Sequence, residues 1–189
     1  MNFKTCILIA ASLFSSVVTH ASDLSDKLKS SDYVLLMRHT RAPGLGDPSN
    51  YTLRDCKSQR NLDAEGRAQA KTVGNWLRKN GVDKAEVYSS AWCRCKDTAE
   101  LLNFGQFTVQ PSLGSFFDEM HKASERTQAL QSFIAEKLKV KGEKALILVT
   151  HHVNIFEFMG ENIASGDMVL AKVNSAGKIV SYQLIPRPL

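Results

Sequence analysis

Two histidines and several arginines stand where strand-like runs of the sequence give out. Tyr33 to Met37 is an apolar, β-prone run followed at once by Arg38-His39-Thr40-Arg41. Glu86 to Ser89 reads as a second strand with Ser90-Ala91-Trp92-Cys93-Arg94 behind it, and Ala145 to Thr150 leads into His151-His152. In open α/β sheets ligands bind at the carboxyl ends of the strands, so these residues should converge on one edge. Arginine offers a planar fork of donors matched to phosphate oxygens and stays charged. Histidine, with a reference pKa of about 6.5, can be neutral and nucleophilic near pH 7. A neutral imidazole among guanidinium groups can attack phosphorus while they hold the equatorial oxygens, and phosphoryl transfer asks mainly for positioning and charge stabilisation. No metal-binding trio of carboxylates accompanies the histidines, so the expected chemistry uses neither metal nor organic cofactor.

The elements that must hold this edge alternate. After the first strand comes a Gly/Pro/Asn-rich loop, Ala42 to Tyr51. Asp63 is a fitting N-cap for a helix over Ala64 to Lys79, with Ala70, Val73 and Leu77 on its apolar face and Asn80-Gly81 ending it. A second helix is expected over Ala91 to Leu102, a short strand over Thr108 to Gln110, and an amphipathic helix over Arg126 to Lys139. Ala145 to Thr150, apolar on both faces, suits a central parallel strand. Met168 to Val173 and Lys178 to Ile185 flank Asn174-Ser175-Ala176-Gly177 as a C-terminal hairpin. The fold class is therefore α/β, with a mostly parallel sheet and helices on both faces.

Four pieces in chain order carry a resemblance: Arg38-His39; Arg60-Asn61-Leu62-Asp63-Ala64-Glu65-Gly66; Ser89 to Arg94 with Thr98-Ala99; and Val149-Thr150-His151. Together they resemble the histidine phosphatase superfamily, more narrowly its phosphoglycerate mutase-like branch, from about Tyr33 to Ile185. The resemblance implies a three-layer α/β/α sandwich with a Rossmann-like sheet. It implies that His39 is the phosphorylated residue, that Arg38, Arg94 and His151 line the phosphate pocket, and that Asn61 donates to the phosphate. Thr40 departs from the family's usual glycine; its side chain and that of Arg41 are further candidates for substrate binding.

The family places a carboxylic acid for the leaving group between Pro111 and Ser124. Here that stretch holds Asp118 and Glu119. Glu119 is the first candidate and Asp118 the second, because adjacent aromatics can desolvate a carboxyl and raise its pKa. Phe116 and Phe117 would point to opposite sides, so one of them at most walls the pocket. His152 is expected to turn away from the site, and Arg60 either to meet a distal part of the substrate or to lie on the surface.

The N-terminus reads as an export signal over residues 1–21: Lys4, a run of apolar and small residues from Cys6 to Val18, and a small-residue site at Thr19-His20-Ala21. Residues 22–189 then form one domain, periplasmic or secreted, without a stable membrane anchor. Outside a reducing compartment Cys56 can bridge to Cys93 or Cys95, leaving one thiol; zinc is the weaker alternative. The net charge of +5 fits an anionic substrate, but lysines and arginines at helical spacing read as a solvated surface, and no basic block interleaved with aromatics speaks for nucleic acid. The expected partner is a small phosphorylated substrate or a phosphoprotein. A non-catalytic phosphate- or polyanion-binding module, or an envelope interaction protein, is the alternative on the same fold.

Overall fold

Apolar runs set the sheet. The computed structural model describes residues 19–189, and in it the densest such run, β4 (Ala145–Thr150), is buried at every position. It lies between β1 (Tyr33–Arg38) and β2 (Ala85–Ser89), parallel to both, with β3 (Phe107–Val109) parallel on the outer side of β2. β5 (Met168–Val173) runs antiparallel beside β1, and β6 (Ile179–Ile185) pairs antiparallel with β5, giving the order β3-β2-β4-β1-β5-β6. The C-terminal hairpin is thus the antiparallel end of an otherwise parallel sheet.

Side chains alternate along each strand, and the two faces bury separate cores. Leu35, Met37, Ile147 and Val149 meet α1 (Thr19–Lys29), α2 (Ala64–Lys79) and α3 (Cys93–Leu101). Val34, Leu36, Leu146 and Leu148 meet α4 (Ala123–Val140) and α5 (His152–Met159) through Leu130, Phe133, Ile134, Ile155 and Phe158. The result is the three-layer α/β/α arrangement.

The boundaries follow local chemistry. Asp63 caps α2 by accepting from Gly66 N at 2.7 Å, and Gly81 follows at φ 81°. α1 was not foreseen, since its sequence is mostly polar. It holds on through Leu24 and Leu28, both buried, and through Ser25, whose hydroxyl donates to Gly81 O at 2.8 Å. The buried Lys141 ammonium donates to the carbonyls of Leu28 and Lys29 at 2.8 and 3.1 Å, fastening the C-terminus of α1 to that of α4. Residues 1–18, which carry most of the expected export signal, lie outside the described residues. Among the described residues no helix is long and apolar enough to cross a membrane.

Two backbone bonds level the strand ends that matter. His39 N donates to Thr150 O and Ser90 N to Val149 O, each at 3.0 Å. His39, Ser90 and His151 consequently sit side by side at the carboxyl edge.

Candidate active site

His39 follows β1 with 1% of its surface exposed. Its Nδ1 lies 2.8 Å from Thr40 O. A carbonyl oxygen only accepts, so Nδ1 carries the proton and Nε2 keeps a lone pair. Arg94 Nε, 3.2 Å from Nε2, is the donor facing that lone pair. Burial, then the guanidinium groups of Arg94, Arg60 and Arg38, push the imidazole pKa well below its ordinary value, against the bond to Thr40 O, which raises it. The ring is therefore neutral at pH 7, the form that can act as a nucleophile.

The cations around it have different tasks. Arg94 sits in the first turn of α3, 3% exposed. Arg38, the last residue of β1, donates Nη1 to Ile163 O at 2.8 Å, while its Nε is buried without a hydrogen-bond partner. Such a donor costs about 1–3 kcal/mol unless a ligand takes it. Arg60 also lines the pocket; its side chain donates to Gly46 O at 2.8 Å and to Ala42 O, clamping the loop after His39.

His151 caps α5 at the end of β4, its ring 5.5 Å from that of His39 and 5.1 Å from that of Trp92. Its Nε2 is 2.8 Å from Ser90 Oγ. Burial, followed by His39 and Arg94, lowers its pKa well below the usual value.

Beyond this centre the sequence expectations divide. Asp118 and Phe117 line the pocket and Phe116 is buried in the core, so one member of the aromatic pair does form a wall. Glu119, the first candidate for the acid, is not brought to the pocket. It is half-exposed and ion-paired with Lys122, whose hydrogen bond holds its carboxyl below the usual range. Of the two carboxyls, Asp118 is the one that lines the pocket. His152 lines the pocket 5.8 Å from Phe117, contrary to expectation, because strand alternation stops at Thr150 and His152 is already the first residue of a helix.

The three substrate-binding candidates also lie elsewhere. Thr40 is fully buried with its hydroxyl 3.1 Å from Thr98 Oγ1, so the residue in place of glycine ties β1 to α3. Arg41 pairs with Asp63, at 3.3 Å, and with Glu65 in the first turn of α2. Asn61 donates to the carbonyls of Cys56 and Gln59 and braces its own loop. Arg60, one position earlier, is the residue of that segment that reaches the pocket.

The cysteine question resolves to Cys56–Cys93, with Cα atoms 5.7 Å apart, and Cys95 remains a buried thiol. Burial raises the Cys95 pKa to about 12. The bridge joins the loop before α2 to the first residue of α3, next to Arg94.

Sequence reasoning missed Asp47. Its carboxylate, 4% exposed, accepts from Arg94 Nη1 at 2.9 and 3.0 Å, from Trp92 Nε1 at 3.1 Å and from Arg60 N at 2.9 Å. The only available signal was an acid inside a Gly-rich loop directly after His39. The hollow over His39 is small; a larger one, about 460 Å³, lies at Leu28 and Lys141 and contains none of these residues. Among the described residues no cluster of His, Cys, Asp or Glu is arranged to hold a metal ion.

A buried histidine at the end of the first strand, an arginine at the start of the helix after the second, and a second histidine after the central strand stand together at one edge of the sheet. Residues 34–122 match the sequence model of the histidine phosphatase superfamily, branch 1. Similar solved structures include the protein histidine phosphatase SixA complexed with tungstate, 19% identical with a TM-score of 0.53, covering 80% of this chain and 93% of that one. Another is a mycobacterial glucosyl-3-phosphoglycerate phosphatase, 13% identical with a TM-score of 0.59, over 82% and 98%. A third is a phosphoserine phosphatase from Entamoeba histolytica in complex with 3-phosphoglyceric acid, 12% identical with a TM-score of 0.56, over 79% and 95%. At such identities the likeness is one of fold. No curated protein matches the chain.

Proposed function

We propose that this chain is a phosphatase that hydrolyses a phosphomonoester or phosphoramidate in two steps, through a phosphohistidine on His39. His39 Nε2 attacks phosphorus and the leaving group departs; water then attacks the phosphoryl group on the ring, releasing orthophosphate and restoring the imidazole. Arg38 and Arg94 hold the charge that builds on the equatorial oxygens, and His151 completes the pocket. Asp118 protonates the leaving oxygen or nitrogen and then takes the proton of the attacking water. The reaction as proposed uses no metal and no organic cofactor. The observation that carries this reading is the buried His39 imidazole, proton on Nδ1 and lone pair on Nε2, facing the Arg94 guanidinium.

Residues 1–21 are proposed as an export signal and residues 22–189 as the working domain in the periplasm or outside the cell. The Cys56–Cys93 bridge is consistent with an oxidising compartment. The related phosphatases bear names of small phosphorylated substrates and, for SixA, of a phosphoprotein; substrates of both kinds suit this pocket's charge.

The test is turnover of p-nitrophenyl phosphate by purified protein in the presence of chelator, with His39→Ala as control. Activity that vanishes in the variant, and an acid-labile, alkali-stable phosphoryl adduct trapped by denaturation during turnover, are expected. Orthophosphate binding without any turnover would make the chain a binding module instead.

A further inference from the structure

Asp47 is an acid in a pocket built for anions, and electrostatics alone makes it an odd occupant. It pairs with Arg94 and shares the pocket with Arg60 and Arg38, the cations a phosphate needs, and its negative charge weakens the field they make. Yet it is held from three directions, by the Arg94 guanidinium, the Trp92 indole N–H and the Arg60 backbone N–H. The loop carrying it is shaped for the purpose. Gly44 and Gly46 adopt φ values of 96° and 66°, which favour glycine. The Arg60 side chain clamps the carbonyls of Ala42 and Gly46 from the other side. Tyr51 packs on Trp92, with ring centroids 6.1 Å apart.

The division of Arg94 among its partners shows what this construction does. Both Asp47 oxygens sit on Nη1, and Arg60 O lies 3.3 Å from the same nitrogen. Nε, on the other flank of the planar group, points at His39 Nε2. The guanidinium is fixed by Nη1 so that its Nε–Nη2 edge, the edge that can grip two phosphate oxygens, faces the nucleophile. An unpaired arginine has several rotamers from which to meet a phosphate; this one has been left one.

We propose that Asp47 is a positioning residue, which anchors Arg94 Nη1 and so holds the Nε–Nη2 edge of the guanidinium against the phosphoryl group on the His39 side. The proposal rests on the phosphatase reading of the same pocket and adds a residue to it. Asp47 makes no hydrogen bond to His39 and acts through Arg94. The pocket gives up some net positive charge and gains a fixed geometry, which in-line transfer requires.

The sign of one measurement decides the matter. A carboxylate that merely fills or neutralises the pocket competes with phosphate, so its removal tightens orthophosphate binding. A carboxylate that orients Arg94 does the reverse, and its removal weakens binding even though the pocket becomes more positive. Orthophosphate affinity is measured by calorimetry on the wild-type chain, Asp47→Asn and Asp47→Ala, alongside kcat and KM for p-nitrophenyl phosphate. The expected order of affinity is Asp, then Asn, then Ala. Losses of about 10- to 100-fold in kcat for Ala are also expected, and smaller ones for Asn, which keeps an acceptor for Nη1. Trp92→Phe, which removes the indole donor and keeps an aromatic ring, should shift affinity in the same direction by a smaller factor and covers the case of an Asp47 variant that does not fold. Tighter orthophosphate binding in any of these variants would overturn the proposal. Binding in the expected order without turnover in the wild type would sink the phosphatase reading and leave the role of Asp47 standing, whereas a wild type that binds no orthophosphate would remove both.

Discussion

At the scale of single residues, the chemistry depends on which protons are where. His39 is fixed as the Nδ1–H tautomer by Thr40 O, so in the proposed reaction the attacking nitrogen needs no base to strip it. That reaction also asks for a proton for the leaving group, and two adjacent carboxyls are candidates to supply it. Glu119 is half-exposed, paired with Lys122 and held in its ionised form by that bond, which makes it a poor donor. Asp118 lines the pocket with Phe117 and His152. Asp118→Asn should therefore lower kcat for an alkyl phosphate by about 10²-fold or more, the usual contribution of a general acid. Its effect on p-nitrophenyl phosphate, whose phenolate leaves unaided, should be much smaller. Glu119→Gln should leave both substrates close to wild type. Steady-state rates on the two substrates check the assignment; equal losses on both from Asp118→Asn would assign it to binding instead. In the sequence these neighbours could not be separated, because which of two successive residues in an irregular turn faces inward depends on that turn's dihedral angles and not on any period. Asp47 was hidden for a related reason. Its partners Trp92 and Arg94 lie 45 and 47 positions away, and nothing local shows that the loop folds back on them.

At the scale of elements, the site is a set of loops pinned to one another. Gly66 is one pin: a Cβ there would lie 1.9 Å from Arg41 O, so α2 approaches the segment after His39 as closely as only glycine permits. Gly66→Ala should cost roughly 1–3 kcal/mol by overpacking and should weaken phosphate binding as the His39 segment is pushed aside; denaturant melts and calorimetry read the two effects. The Cys56–Cys93 bridge is a second pin, closing a separation of 37 residues. Loop-closure entropy for that length gives about 3–4 kcal/mol, so Cys56→Ser, or the wild type under reductant, should melt on the order of 10 °C lower. An unchanged melting temperature would mean that the bridge does not form in solution. Elements specified locally were legible in advance: α2 from Asp63 through Asn80-Gly81, β4 from its unbroken apolar run, the hairpin from Asn174 to Gly177. α1 was not, since its sequence is mostly polar, with Leu24 and Leu28 going into the core, and its anchors Gly81 and Lys141 are distant in the chain. His152 was misplaced because the strand's alternation was carried one residue too far.

At the scale of the whole molecule, burying two neutral imidazoles beside a cluster of guanidinium groups ties stability to pH. His39 and His151 both have folded-state pKa values well below the ordinary one, chiefly through burial. An unfolded chain protonates each near its reference value of about 6.5. Below that pH the unfolded state binds more protons than the folded state. The slope of unfolding free energy against pH is then positive, and stability falls as pH drops. The loss should begin near pH 6.5, above the range in which ordinary carboxylates titrate, and reach on the order of 1 kcal/mol per imidazole by pH 5.5. Urea denaturation at pH 7.5 and 5.5, in a buffer free of phosphate, measures it. His39→Asn should remove about half of the drop, since only His151 of the pair is left to resist protonation. Orthophosphate should change the profile as well as raise it. A dianion against His39 and Arg38 favours the protonated ring, so ligand and proton stabilise one another, and the acid-side loss should shrink when the pocket is saturated. A wild type whose stability is flat or rising from pH 7.5 to 5.5 would mean that His39 is already charged in the folded state, and a charged imidazole has no lone pair with which to take a phosphoryl group.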